Sequence, residues 1–217
     1  NAMNQHEYLS WNIVSWSIGA EWWTYIVIMG IIIPFWRRRV LFFFGIVPGC
    51  IIGLTALVLW LPAKNLDITF NYGFFRCLFE FGIGIAIYFA YSQCWGRQWL
   101  GRDLCCCLLC AAIALQFHQQ WFDLWVVPLF SLLILAVAYN DGLVKRFFST
   151  RPLQYLGVIS YSVYLLHGIW FLFFWFLFPW IKAEFMVQHL HWTAKITYVF
   201  IFLACTLVSA HFTYRYI

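Results

Sequence analysis

The chain has 217 residues, of which 65% are hydrophobic, 23% aromatic and only 10% charged. Soluble domains run at roughly 45–50% apolar and about 25% charged, so so few charges cannot cover the surface of a soluble domain of this size. The apolar excess also excludes intrinsic disorder, and what remains is a polytopic membrane protein.

Asn1-Ala2-Met3 reads as the remnant of a cleaved tag, with one transmembrane domain over residues 4–217. The stretch Asn4 to Trp11 is polar and lacks the basic start of a signal peptide. Apolar runs then predict seven helical spans at roughly 12–33, 40–61, 74–91, 104–118, 121–139, 154–180 and 195–214. The expected fold is an all-α, polytopic transmembrane helix bundle. Apolarity all round each run, without alternation, argues against a lipid-facing barrel.

Most of the 13 Lys and Arg residues fall on one side of this arrangement: Arg37, Arg38, Arg39, Arg97, Arg102, Lys145, Arg146, Arg151 and Arg215. Lys64, Arg76, Lys182 and Lys195 lie toward the other. Basic loops stay in the cytoplasm, so the chain is expected to start outside and end inside. The net charge of +5 is accounted for by these flanks, and no nucleic-acid partner is expected. Trp60, Trp95, Trp99, Trp121, Trp180 and Trp192 suit aromatic belts.

Cys105, Cys106, Cys107 and Cys110 lie inside an apolar run, with Cys50, Cys77, Cys94 and Cys205 scattered. They read as small apolar helix residues, and no metal site is expected of them or of His189 and His191.

Polar groups inside spans are costly and mark either function or a helix-to-helix bond. Ser17, Glu21 and Thr24 share one face of the first span at i, i+4, i+7. Arg76 and Glu80 form an i, i+4 pair in the third; they either neutralise each other or leave Arg76 to hold an anion. Ser160, Tyr164 and His167 make a further stripe in the sixth, where His167 is a general base or a packed ring. Helix rise places Glu21 about 12–15 Å and Glu80 about 10 Å inside the outer face. His167 stands roughly 13 residues, or about 20 Å, from the inner end of its span. In a core of about 30 Å the three stripes reach a similar level, and the expectation is one cavity that opens outward. His118, Asp123 and His211 read as interfacial or capping residues.

Ser15-Trp16-Ser17-Ile18-Gly19-Ala20-Glu21-Trp22-Trp23-Thr24-Tyr25 resembles the Trp-Ser-Leu…Glu…Tyr motif of the acyltransferase-3 family of integral membrane O-acyltransferases. Leu156-Gly157-Val158-Ile159-Ser160-Tyr161-Ser162-Val163-Tyr164-Leu165-Leu166-His167 is similar to its late Leu-Gly-x-Ile-Ser-Tyr-Ser-x-Tyr-Leu-x-His motif. Phe75 to Gly84 resembles its middle Arg-x-x-x-Glu-Phe-x-x-Gly segment, and Tyr214-Arg215-Tyr216-Ile217 the start of its closing motif. Family members carry further spans at the amino end, the first bearing an Arg and a His regarded as the main base. Nothing in this chain corresponds to that span, so the chain resembles the carboxy-terminal two-thirds of such an enzyme. Three preceding spans would put the full-length amino terminus in the cytoplasm, in keeping with the charge pattern.

The resemblance implies an enzyme of a bacterial-type inner membrane. It would move an acetyl or other short acyl group from cytoplasmic acyl-CoA to a hydroxyl of an envelope carbohydrate. It implies catalytic roles for Glu21 and His167, and substrate contact by Trp16, Ser17, Arg76, Glu80, Ser160, Tyr161 and Tyr164. No bound cofactor is expected; acyl-CoA is a substrate, which Arg37–Arg39 or Arg151 could attract. Two other readings stay open, a transporter or flippase of envelope intermediates and a non-catalytic or truncated scaffold. Paired breaks in matching halves would favour a transporter, and Pro34, Pro48, Pro128 and Pro179 show no such pairing.

Overall fold

A computed structural model describes residues 14–35, 39–62, 64–69, 72–119, 122–177 and 191–216. Residues 1–13, 36–38, 63, 70, 71, 120, 121, 178–190 and 217 lie outside the described residues, among them Arg37, Arg38, Trp121, Trp180, Lys182 and His189.

The described residues are all-α. The helices are α1 (Ser15–Phe35), α2 (Arg39–Trp60), α3 (Gly73–Ser92), α4 (Arg97–Leu100) and α5 (Asp103–Gln119), then α6 (Val126–Tyr139) after a 3-10 turn at Asp123–Trp125. They continue as α7 (Leu143–Phe148), α8 (Arg151–Val158), α9 (Ser160–Leu177) and α10 (Trp192–Tyr216). Helix therefore occupies each of the seven apolar stretches. Among the described residues α3 and α10 are long and apolar enough to cross a membrane. The pair α8 and α9 makes a third candidate if it is taken as one broken span, and Phe44–Trp60, Asp103–Gln119 and Asp123–Tyr139 are shorter apolar helices. The surface is as apolar as a lipid solvent requires, with Phe176 at 73% and Phe200 at 68% exposed.

The sixth expected span is not continuous. It breaks at Ile159, where α8 and α9 meet at a bend of 66°. His167 is thus seven residues from the start of its own helix, or about 10 Å. The sequence estimate of about 20 Å assumes one straight helix, and the bend at Ile159 means that this rise does not run along a single axis.

The described residues divide into two compact units, the first running from Trp16 to Ser149 and the second from Thr150 to Tyr216 together with Val14 and Ser15. In the first, α3 packs against both α2 and α6, and α5 against α6. Small residues let the backbones approach: a Cβ on Gly53 would meet the Phe79 ring at 2.5 Å, and one on Gly82 would overlap Cys50 Sγ. After α3 the chain reverses through a turn in which Cys94 (φ 55°) and Gly96 (φ 73°) are left-handed, a conformation glycine adopts without strain.

In the second unit α9 packs along α10. Trp170 Nε1 donates to Ser209 Oγ at 2.8 Å, and the Phe174 ring meets those of Tyr198 and Phe202 at 5.4 and 6.3 Å. Ala210 and Thr206 are buried in this contact.

Candidate functional site

The first helix is set by a small-residue stripe. Ala20, Thr24 and Ile28, one turn apart, are all buried, and Ala20 packs with Phe74 of α3 among Trp16, Val27, Cys77 and Leu78. Thr24 is tolerated there because its hydroxyl donates to the Ala20 carbonyl at 2.8 Å. Trp16 lies over Gly73, whose added Cβ would stand 2.6 Å from the indole. Its place in the structure is therefore the α1–α3 packing.

This register turns Glu21 to the edge of the contact, where it is exposed, while Ser17 is half-buried. The expected face Ser17–Glu21–Thr24 is split: Thr24 points into the helix contact and Glu21 flanks it. The Glu21 carboxylate accepts the Tyr25 hydroxyl, and the Tyr25 ring meets Phe81 of α3 edge-on at 5.4 Å.

Across from it, Arg76 Nε donates to Glu80 Oε1 at 3.0 Å. Arg76 Nη1 donates to the carbonyls of Leu66 and Ile68 at 2.8 and 3.3 Å. Leu66 N–H in turn donates to Asp123 Oδ2 at 3.1 Å, so the loop before α3 is fastened at Leu66 both to α3 and to the turn before α6. Cys77, one residue on from Arg76, packs against the Ala20–Phe74 contact of α1 and α3. The structure therefore brings together Glu21, Arg76 and Glu80 on α1 and α3. Tyr25 and Cys77 join them without having been singled out; Tyr25 had a signal, its i+4 spacing from Glu21.

In the second unit Ser160 opens α9 and is exposed, as are Tyr161 and Tyr164. Tyr164 donates to the Val14 carbonyl at 3.2 Å. His167 is half-buried, its ring 5.5 Å from that of Tyr164 and tilted by 54°. Because α9 is unbroken from Ser160 onward, the Ser160–Tyr164–His167 stripe lies on one helical face. At the far end of this unit Tyr155 of α8 and His211 Nδ1 of α10 share a hydrogen bond of 2.5 Å.

An apolar cleft of about 580 Å³ lies among α2, α3 and α6. Its two wall hydroxyls, Thr55 and Ser131, donate to the carbonyls of Ile51 and Val127 at 2.7 Å each, so the wall is almost wholly hydrocarbon. None of the candidate residues lines it. Among the described residues no group of three or more His, Cys, Asp or Glu side chains is placed to hold a metal ion.

No curated protein and no solved structure matches the chain. The model of the acyltransferase-3 family, described as an acyltransferase domain, matches residues 3–214. That match runs over nearly all of an all-helical, lipid-suited chain, and the protein belongs to the acyltransferase-3 family as a membrane acyltransferase.

Proposed function

We propose that the protein transfers an acetyl or other short acyl group from cytoplasmic acyl-CoA to a hydroxyl of an envelope carbohydrate, in a bacterial-type inner membrane. The observation that carries this reading is the set of polar and ionisable side chains gathered on apolar helices α1 and α3. Glu21 is held by Tyr25, whose ring meets Phe81 of α3, and the Arg76–Glu80 pair stands on that same helix. Charged groups in such helices are costly, and an active site is a common reason for them.

Glu21 in the first unit and His167 in the second are the two candidate acid–base groups. One takes the proton of the acceptor hydroxyl, and the oxygen attacks the thioester carbonyl. The tetrahedral oxyanion then collapses, the C–S bond breaks, and the CoA thiolate leaves and takes up a proton. Ser17 offers a hydroxyl on the helix of Glu21, and Ser160, Tyr161 and Tyr164 offer theirs on the helix of His167. Arg76 and Glu80 fix the outer loop beside Glu21, and Trp16 fixes the helix that carries it. The charge pattern supports a chain that starts outside and ends in the cytoplasm.

The test is acyl transfer from labelled acetyl-CoA by membranes carrying the full-length gene. Glu21→Gln and His167→Ala should each lower transfer to envelope glycan about 100-fold or more while expression and Tm hold. Wild-type membranes that label no glycan, or variants that label it normally, overturn the reading.

A further inference from the structure

The turn joining α3 to α5 and the turn after α6 are locked together. Asn140 Nδ2 donates to the Gly101 carbonyl at 3.0 Å and to Asp103 Oδ1 at 2.9 Å. Asp103 then accepts the first two backbone N–H groups of α7, Leu143 at 2.9 Å and Val144 at 3.1 Å. Asn140 Oδ1 accepts the N–H groups of Gly142 and Lys145 at 3.0 and 2.9 Å. A Cβ on Gly142 would overlap the Asp103 carboxylate. Two short helices, α4 and α7, are thereby fixed to one rigid corner.

This corner presents two kinds of side chain. Trp99 (70%), Leu143 (68%), Phe147 (61%) and Phe148 are exposed on it. Between them stand four cations, Arg97, Arg102, Lys145 and Arg146, against two carboxylates, Asp103 and Asp141. Arg97 and Lys145 both engage Asp141, at 3.6 and 2.6 Å. The corner is left with an excess of positive charge carried by Arg102, which lies over the Trp99 ring at 5.1 Å, and Arg146.

We propose that this corner is a docking platform for anionic lipid headgroups. Its cations neutralise the phosphates, and Trp99, Leu143, Phe147 and Phe148 seat in the boundary between headgroups and acyl chains. Charge complementarity selects an anionic partner. The interleaved apolar side chains select a lipid over a soluble phosphate ligand, which would leave them in water. The platform is independent of where the acyl-transfer site lies.

The full chain, purified in detergent, is given phosphatidylglycerol or phosphatidylcholine, and retained lipid is counted by native mass spectrometry. Wild type should prefer the anionic lipid, and the preference should vanish as salt rises from about 50 to about 500 mM. That measurement needs no variant. The double variant Arg102→Gln/Arg146→Gln should cut the preference about 10-fold or more. Lys64→Gln, at the opposite end of the same unit, should leave it intact. Trp99→Ser with Phe147→Ser should lower retention of both lipids alike. A preference that resists salt, or survives loss of both arginines, overturns the proposal. So does displacement of the lipid by free CoA, which would make the corner a site for soluble phosphate.

Discussion

Arg76 and Glu80 stand one helical turn apart on α3 with Nε and Oε1 at 3.0 Å, yet Glu80 is only one of three acceptors the guanidinium serves. The other two are loop carbonyls, so the pair is a clasp on the loop as well as an ion pair. Arg76→Gln should therefore cost more stability than Glu80→Gln, about 1–2 kcal/mol against less than about 1. Thermal unfolding in detergent measures both. Equal losses would mean that the loop contacts contribute nothing.

The close approach of Trp16 to Gly73 makes a size-swap prediction. Gly73→Ala should destabilise the chain by about 1–3 kcal/mol through overpacking. Adding Trp16→Ala removes the ring that the new methyl meets, so the double variant should lose less than the two single losses summed. An additive double variant would place the cost elsewhere.

Asp103 and Asp141 give the corner a pH dependence. The Leu143 and Val144 N–H groups, then the Asn140 amide, hold the Asp103 carboxyl below the usual carboxylate range. Lys145, aided by Arg97, does the same for Asp141. A pKa lowered by folding stabilises the fold above the unfolded value, about 4, and that contribution is lost as pH falls through the lower folded value. Hydrogen exchange at Leu143 and Val144, corrected for intrinsic rates, should lose protection below about pH 4. In Asp103→Asn the two amides should be weakly protected at every pH.

Tyr155→Phe removes the hydroxyl that joins α8 to His211 of α10. Amide protection should fall along Arg151–Val158, by about 0.5–1.5 kcal/mol of opening free energy, while α9 is unaffected. Equal loosening of α9 would show that α8 and α9 open together despite the bend at Ile159.

The helices were legible because each apolar run must satisfy its own backbone in lipid, and α1, α2, α3, α5, α6 and α10 start and end near their expected bounds. The Arg76–Glu80 pair was equally legible, since i, i+4 spacing alone puts two side chains together. The break at Ile159 was hidden because the late motif runs through it without interruption, and hydropathy reports composition rather than direction. The corner was hidden for another reason: Asn140, Leu143 and Val144 reach Asp103 across 37 to 41 residues, and no local period encodes such a contact. Glu21 was found, but its neighbour Thr24 was assigned to the same face. The narrow Ala20–Thr24–Ile28 contact, which separates them, depends on where α3 lies.

A six-residue helix such as α7 is too short to sustain itself in isolation. Its amino end is satisfied by a carboxylate 40 residues earlier in the chain, so α7 is held only where α5 and α6 bring that carboxylate to it. Its stability is therefore borrowed from α5 and α6 through the residue that caps it. A chain in which Leu143 is protected from exchange is one whose preceding helices have already found each other.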